Sequence, residues 1–98
     1  MPAYIVVDVV VNDPVAYEPY KQMAAAAIAK YGGRYIVRGG ATDVREGDWQ
    51  PNRFVIVEFP SLAQARAFYV SEEYAPALAI RKAVATSSLF IVDGWAPV

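Results

Sequence analysis

Neither histidine nor cysteine occurs among the 98 residues. Without cysteine there is no disulfide and no thiol chemistry, a composition that fits the cytoplasm. Without histidine the chain lacks the commonest general base near neutral pH and the commonest zinc ligand. Any catalysis must rest on carboxylates, Arg, Lys, Tyr, a bound cofactor or the substrate itself. Charge of one sign is missing too: nine basic and ten acidic residues leave a net charge of −1. The basic residues are scattered, which excludes the concentrated cationic surface that nucleic acid requires. No apolar run approaches the roughly 18 residues of a membrane span, since Asp8 interrupts the first. The N-terminus has no basic segment followed by an apolar core and a small-residue cleavage site, which predicts no signal peptide. Gly39-Gly40 lies in neither a G-x-G-x-x-G nor a P-loop pattern, and turn chemistry accounts for it. Asp43, Glu46 and Asp48 share a loop but lack calcium-loop spacing. The expectation is a protein without metal or cofactor.

What the chain has in quantity is apolar residues, 56% of the total. So small a body buries only about two-thirds of its unfolded surface. Large exposed apolar patches mark interfaces, so the surplus predicts a soluble homodimer. Residues 3–11 are β-branched and almost unbroken apolar, which predicts a buried central strand closed by Asn12-Asp13-Pro14. Asp13 is a good N-cap with Pro14 at the first helical position, and a helix runs from there to about Tyr31. Pro19 predicts that its first turn is separate, the main helix starting at Glu18. Tyr20, Met23, Ala24, Ala27, Ile28 and Tyr31 form its apolar stripe, and Gly32-Gly33 stops it with positive φ. Strands are predicted at 34–39, 53–59 and 88–94, with a long loop at 40–52. Ser61 and Gln64 form a capping-box pattern before a helix whose apolar face carries Leu62, Ala65, Phe68 and Tyr69. Ser71 opens a further helical stretch to about Ala85, whose Arg81-Lys82 reads as a solvated end. This is a single α+β domain over 1–98, β-α-β-β-α-β and ferredoxin-like, with strand order 4-1-3-2 and helices on one face.

Side-chain alternation sorts the strands into two faces. Ile5, Val7, Val9, Val11, Tyr35, Val37, Val55, Val57, Phe59, Phe90 and Val92 carry no charge and should lie under the helices. Tyr4, Val6, Asp8, Val10, Arg34, Ile36, Arg38, Phe54, Ile56, Glu58, Leu89, Ile91 and Asp93 form a mixed, helix-free face. Taking strands one and three as parallel puts Asp8, Glu58 and Arg34 at one end, with Arg38 and Asp93 at the other beside the loop. Those charges either fix register at a dimer interface or line a ligand pocket there. In the pocket reading Arg38 and Arg34 hold an anionic oxygen, and Asp8 or Glu58, its pKa raised by burial, carries a proton. Trp49 is either a lid or a loop anchor. Tyr17, Tyr20, Tyr69 and Tyr74 read as helix-face core residues.

The strings GGRYIVRGG (32–40), EGDW (46–49), EFPS (58–61) and A-x-x-x-Y-x-S-x-E-Y (65–74), with Arg53 and Arg81, resemble the bacterial family of domain-of-unknown-function 1330, over nearly the whole chain. The resemblance implies a dimeric α+β barrel, in which two ferredoxin-like sheets pack face to face around a cavity. By position Arg38, Glu46, Trp49, Arg53, Glu58 and Tyr74 match its recurrent residues, which adds Arg53 and Trp49 to the substrate-binding candidates. The wider superfamily includes cofactor-free monooxygenases, isomerase-like enzymes and haem-degrading proteins; the lack of histidine argues against haem ligation. The expected function is binding or turnover of a small oxygen-bearing or anionic metabolite in a cavity on the helix-free face. The alternative is a non-catalytic dimerisation domain.

Overall fold

A computed structural model describes residues 1–96. Strand β1 (Ala3–Val11) leads into helix α1 (Pro14–Lys30), then β2 (Arg34–Arg38) and β3 (Arg53–Phe59). Helices α2 (Leu62–Tyr69) and α3 (Ala75–Val84) precede β4 (Ala85–Asp93). The four strands form one sheet in the order β2-β3-β1-β4, every neighbouring pair antiparallel. This is the ferredoxin-like arrangement that the strand pattern predicted. Among the described residues no helix is long and apolar enough to cross a membrane.

The caps are where the short polar residues put them. Asp13 accepts the Ala16 N–H at 3.1 Å, and Gly32 turns the chain after α1 with φ 79°. Helix α1 is continuous through Pro19, against the expected break. Near the N-terminus the proline removes one backbone donor, and the helix tolerates that. Ser61 accepts the Gln64 N–H at 3.1 Å, but Gln64 does not complete the box; its amide donates to the Tyr31 carbonyl and ties α2 to α1. Ser71 caps only a turn, its Oγ accepting the Tyr74 N–H, and α3 starts at Ala75. β4 begins three residues earlier than predicted.

Glu73, in that turn, accepts from Lys30 Nζ at 2.7 Å and from the Tyr31 hydroxyl at 2.9 Å. The Lys30 bond first, then its own backbone N–H and Tyr31, hold its carboxyl down at about 2. A carboxyl depressed in the folded state stabilises above its unfolded pKa and loses that contribution as pH falls through the folded value. Wild type should therefore melt at a higher Tm than Glu73→Gln at about pH 6, with the gap closing by about pH 2. A gap unchanged between the two pH values would contradict the assignment.

Three expectations about the sheet need correction. Strands β1 and β3 are antiparallel, pairing Tyr4 with Glu58 and Asp8 with Phe54, so Asp8 and Glu58 lie at opposite ends. The connectivity requires it: α1 carries the chain back so that β2 repeats the direction of β1, and the hairpin reverses β3. Next, a bulge between Tyr35 and Val37 places two residues of β2 against Ile56, and Arg38 pairs with Val55 instead of Phe54. One extra residue flips the rest of the strand to the other face. Finally, β4 pairs Leu89 with Val7 and Ile91 with Ile5, which puts Leu89 and Ile91 under the helices and Phe90 and Val92 on the open side. Asp93, opposite Ala3, leaves the helix-free face and joins the Glu58 end.

Candidate functional site

The floor of the core is Ile5, Val7, Val9, Val55 and Val57, all buried and all pointing toward the helices. Tyr17, Ala24 and Ile28 from α1, Phe68 from α2, and Tyr74 with Ala77 pack over it. The cover is incomplete. A cleft of about 530 Å³, counted out to its open mouth, remains between sheet and helices. Tyr17, Tyr20, Tyr35 and Tyr74 line it, with Lys21, Arg38 and Arg53 as its charges. Among the described residues no carboxylate lines it; Glu18 stands only in the outer hollow, paired with Lys21 at 2.8 Å.

Arg53 owes its position to strand parity. It pairs with buried Val9 and so shares a face with Val55, Val57 and Phe59. Gly39 (φ 67°) makes room for it, since a Cβ there would come within 3.0 Å of an Arg53 guanidinium nitrogen. Arg53 makes no ion pair among the described residues, and its Nε is buried without a hydrogen-bond partner. Arg38 lies over the Tyr35 ring, 4.5 Å from its centroid. The bulge thus moves this residue from the helix-free face, where alternation put it, to the cleft. Burial pushes the Tyr17, Tyr20 and Tyr35 phenols up, Tyr20 the furthest. The arginines beside them pull back only part of that rise. These three hydroxyls stay protonated at neutral pH and face the cleft as donors. Cations, neutral phenols and an apolar floor together suit a flat, largely apolar molecule with an anionic oxygen.

At Arg81 the structure reverses the expected solvated end. The residue is 4% exposed, with its Nε unpartnered and, among the described residues, no carboxylate acting on it. Desolvation opposes its charge, but the Tyr74, Tyr20 and Tyr69 phenols around it outweigh that and raise its pKa. The sequence carries a signal for this: Tyr74, Ala77 and Arg81 recur at the i, i+3, i+7 spacing of one helix stripe.

The charges left on the helix-free face are satisfied within the chain. Arg34 reaches Glu58 through Nε at 3.2 Å and through its terminal nitrogen at 3.1 Å, the pair that the hairpin predicted. Asp8 accepts the Asn52 N–H at 2.8 Å and the Trp49 indole N–H at 3.0 Å, while the Trp49 ring stands edge-on to Phe54. Desolvation pushes the Asp8 carboxyl up, but the Asn52 and Trp49 bonds together hold it below its usual value. The raised pKa expected of a proton carrier is thus reversed, and Asp8 clamps the 40–52 loop. Asp8→Ala should shift Trp49 emission toward that of a solvated indole and cost about 1–2 kcal/mol in urea denaturation, two charge-assisted bonds at a partly exposed site. Unchanged emission would mean that the clamp does not hold the loop.

Among the described residues no group of three His, Cys, Asp or Glu side chains converges to hold a metal ion.

The model of the family described as Domain of unknown function (DUF1330) matches residues 2–95. No curated protein matches the sequence. Solved structures do. A protein of unknown function from Rhodopseudomonas palustris superposes with TM-score 0.74 at 20% identity, covering 98% of this chain and 84% of that one. SnoaB, a cofactor-independent oxygenase from Streptomyces nogalater, gives TM-score 0.66 at 19% identity, covering 99% and 96%. A dimeric protein of unknown function and ferredoxin-like fold from Bacteroides fragilis gives 0.62 at 15%, covering 95% and 96%.

Proposed function

The chain belongs to the DUF1330 family, and from that premise we propose that it binds a small, flat, anionic metabolite in the helix–sheet cleft. Arg53 and Arg38 hold the anionic oxygen, a carboxylate, enolate or phenolate, and Tyr17, Tyr20 and Tyr35 donate around it. The single observation that carries this is the cleft's lining: three cations and four phenols, with no carboxylate among the described residues that line it. SnoaB is a cofactor-independent oxygenase with the same fold. Carried over to this chain, that makes an oxygenase acting on a resonance-stabilised anion the enzymatic form of the reading. Calorimetric titration with benzoate and its neutral isostere benzamide tests it. Benzoate should bind at least about tenfold more tightly, the equivalent of one charge-assisted bond over a neutral one. Equal affinity, or none for either, would overturn the proposal.

Arg34, Glu58 and Asp8 belong in this reading to the scaffold, with Trp49 as the loop's anchor. The helix-free face then has another use. Val10, Ile36, Phe90 and Val92 are 43%, 44%, 56% and 43% exposed on it, beside the equally bare Trp49. We propose that a second copy of the chain covers them, with a cytoplasmic location in keeping with the cysteine-free sequence. A stable pair should bury at least about 1,000 Å² in total. Sedimentation equilibrium at micromolar concentration should give twice 10.7 kDa for wild type, and Phe90→Asp should return the single-chain mass. A wild-type monomer would end the dimer proposal and leave the cleft, which lies within one chain, untouched.

A further inference from the structure

From the cleft wall a series of polar groups runs inward from Tyr20 through Tyr74 to Arg81. The Tyr20 and Tyr74 hydroxyls are 2.7 Å apart, and either can donate. Tyr74 is 2% exposed and forms the inner end, while half-buried Tyr20 forms the outer end on the cleft. Arg81 lies by Tyr74, buried, with no carboxylate among the described residues to balance it and an unpartnered Nε. A guanidinium only donates, so in any bond between Arg81 and the Tyr74 oxygen it is Tyr74 that accepts. If Tyr74 accepts there, its own hydrogen turns to Tyr20, and the Tyr20 hydrogen is free to turn outward.

We propose that Arg81, Tyr74 and Tyr20 form a one-way hydrogen-bond chain that aims the Tyr20 hydroxyl at an oxyanion of the bound ligand. Tyr20 is the contacting residue; Tyr74 and Arg81 are positioning residues. The inference rests on the cleft reading and, within its ligand class, favours molecules that present the charge to Tyr20 on one oxygen, a phenolate or an enolate, over a carboxylate. Burial supports the assignment, since it holds Tyr20 protonated and so able to donate. Tyr17, stacked on Tyr20 at 5.0 Å, and Phe68, at 4.4 Å from the Tyr74 ring, keep both rings from turning away. Polarised chains of this kind strengthen their terminal donor.

The test uses 4-nitrophenol, whose phenolate is yellow and whose phenol is not, so absorbance reads the ionisation state of the bound probe. Wild type should bind the phenolate about 100-fold more tightly than the phenol, seen as a fall of about two units in the probe's bound pKa. Tyr20→Phe and Tyr74→Phe, which keep ring and packing, should each return about tenfold of that preference. Arg81→Met should do the same from beyond contact distance. If Arg81→Met does not fold, Tyr74→Phe alone decides the inner link. A purely structural role would weaken phenol and phenolate alike and leave the bound pKa in place, which overturns the inference. Wild-type preference retained in both phenylalanine variants overturns the chain but not the cleft. No preference in wild type overturns both.

Discussion

Arg53→Met is expected to weaken benzoate binding by about 100-fold, or about 2.7 kcal/mol, the lower part of the range for losing one partner of a desolvated charge pair. Stability should stay near wild type or rise. The two expectations belong together. Arg53 is held under the helices with its Nε unpartnered and makes no ion pair among the described residues. A cation covered in that way is a cost to the empty fold, and methionine keeps much of the stem that packs beside Gly39. Sites commonly carry such a cost in exchange for binding. Calorimetric titration beside urea denaturation at matched protein concentration measures both quantities. A loss of about 3 kcal/mol or more in stability would make Arg53 scaffold, since that is what breaking a buried ion pair costs. Undiminished benzoate binding would move the anion site elsewhere.

Phe59→Ala should cost about 4 kcal/mol, a large part of the roughly 5–15 kcal/mol that typical domains possess. Phe59 has no exposed surface, and its ring packs 5.2 Å from Phe68, which in turn lies 4.4 Å from Tyr74. This aromatic series joins β3 to the turn before α3. A cavity at its root cannot be filled from the sheet below, because the neighbouring strand residue on that side is Ala3, itself fully buried. The variant should therefore lose stability and also loosen the wall that carries Tyr74, so its benzoate affinity should fall as well. Urea denaturation gives the first number. A cost under about 1.5 kcal/mol would show that the interior collapses around the gap.

The elements are legible in the sequence and the faces only in part. β-branched runs mark β1 and β3 to the residue, and Asp13 and Ser61 announce their helices because short acceptors there satisfy orphan amides. The Arg34–Glu58 pair follows from hairpin symmetry. That symmetry ends two residues later at the bulge near Ile36, which no hydrophobic period records, and Arg38 is assigned to the wrong face as a result. β4 misleads for another reason: in the run Leu89-Phe90-Ile91-Val92 every residue is apolar, so alternation has nothing to distinguish. Arg53, by contrast, is readable. It shares the parity of Val55, Val57 and Phe59, and its charge alone keeps it out of the inward set. Arg81 is readable in the same way from its helical spacing to Tyr74 and Ala77. Arg53 enters the candidates only through the family resemblance, and Arg81 is missed, because charge is equated with exposure, and sites are where that equation fails.

The anion should sit between helices and sheet and not on the open face. Backbone and side-chain chemical-shift mapping during a benzoate titration locates it directly. The largest changes are expected at Arg53, Arg38, Tyr17, Tyr20 and Gly39, with Arg34, Glu58, Tyr4 and Phe90 unmoved. Changes centred on Arg34, Glu58 and Phe90, with Arg53 and Tyr20 silent, would contradict it.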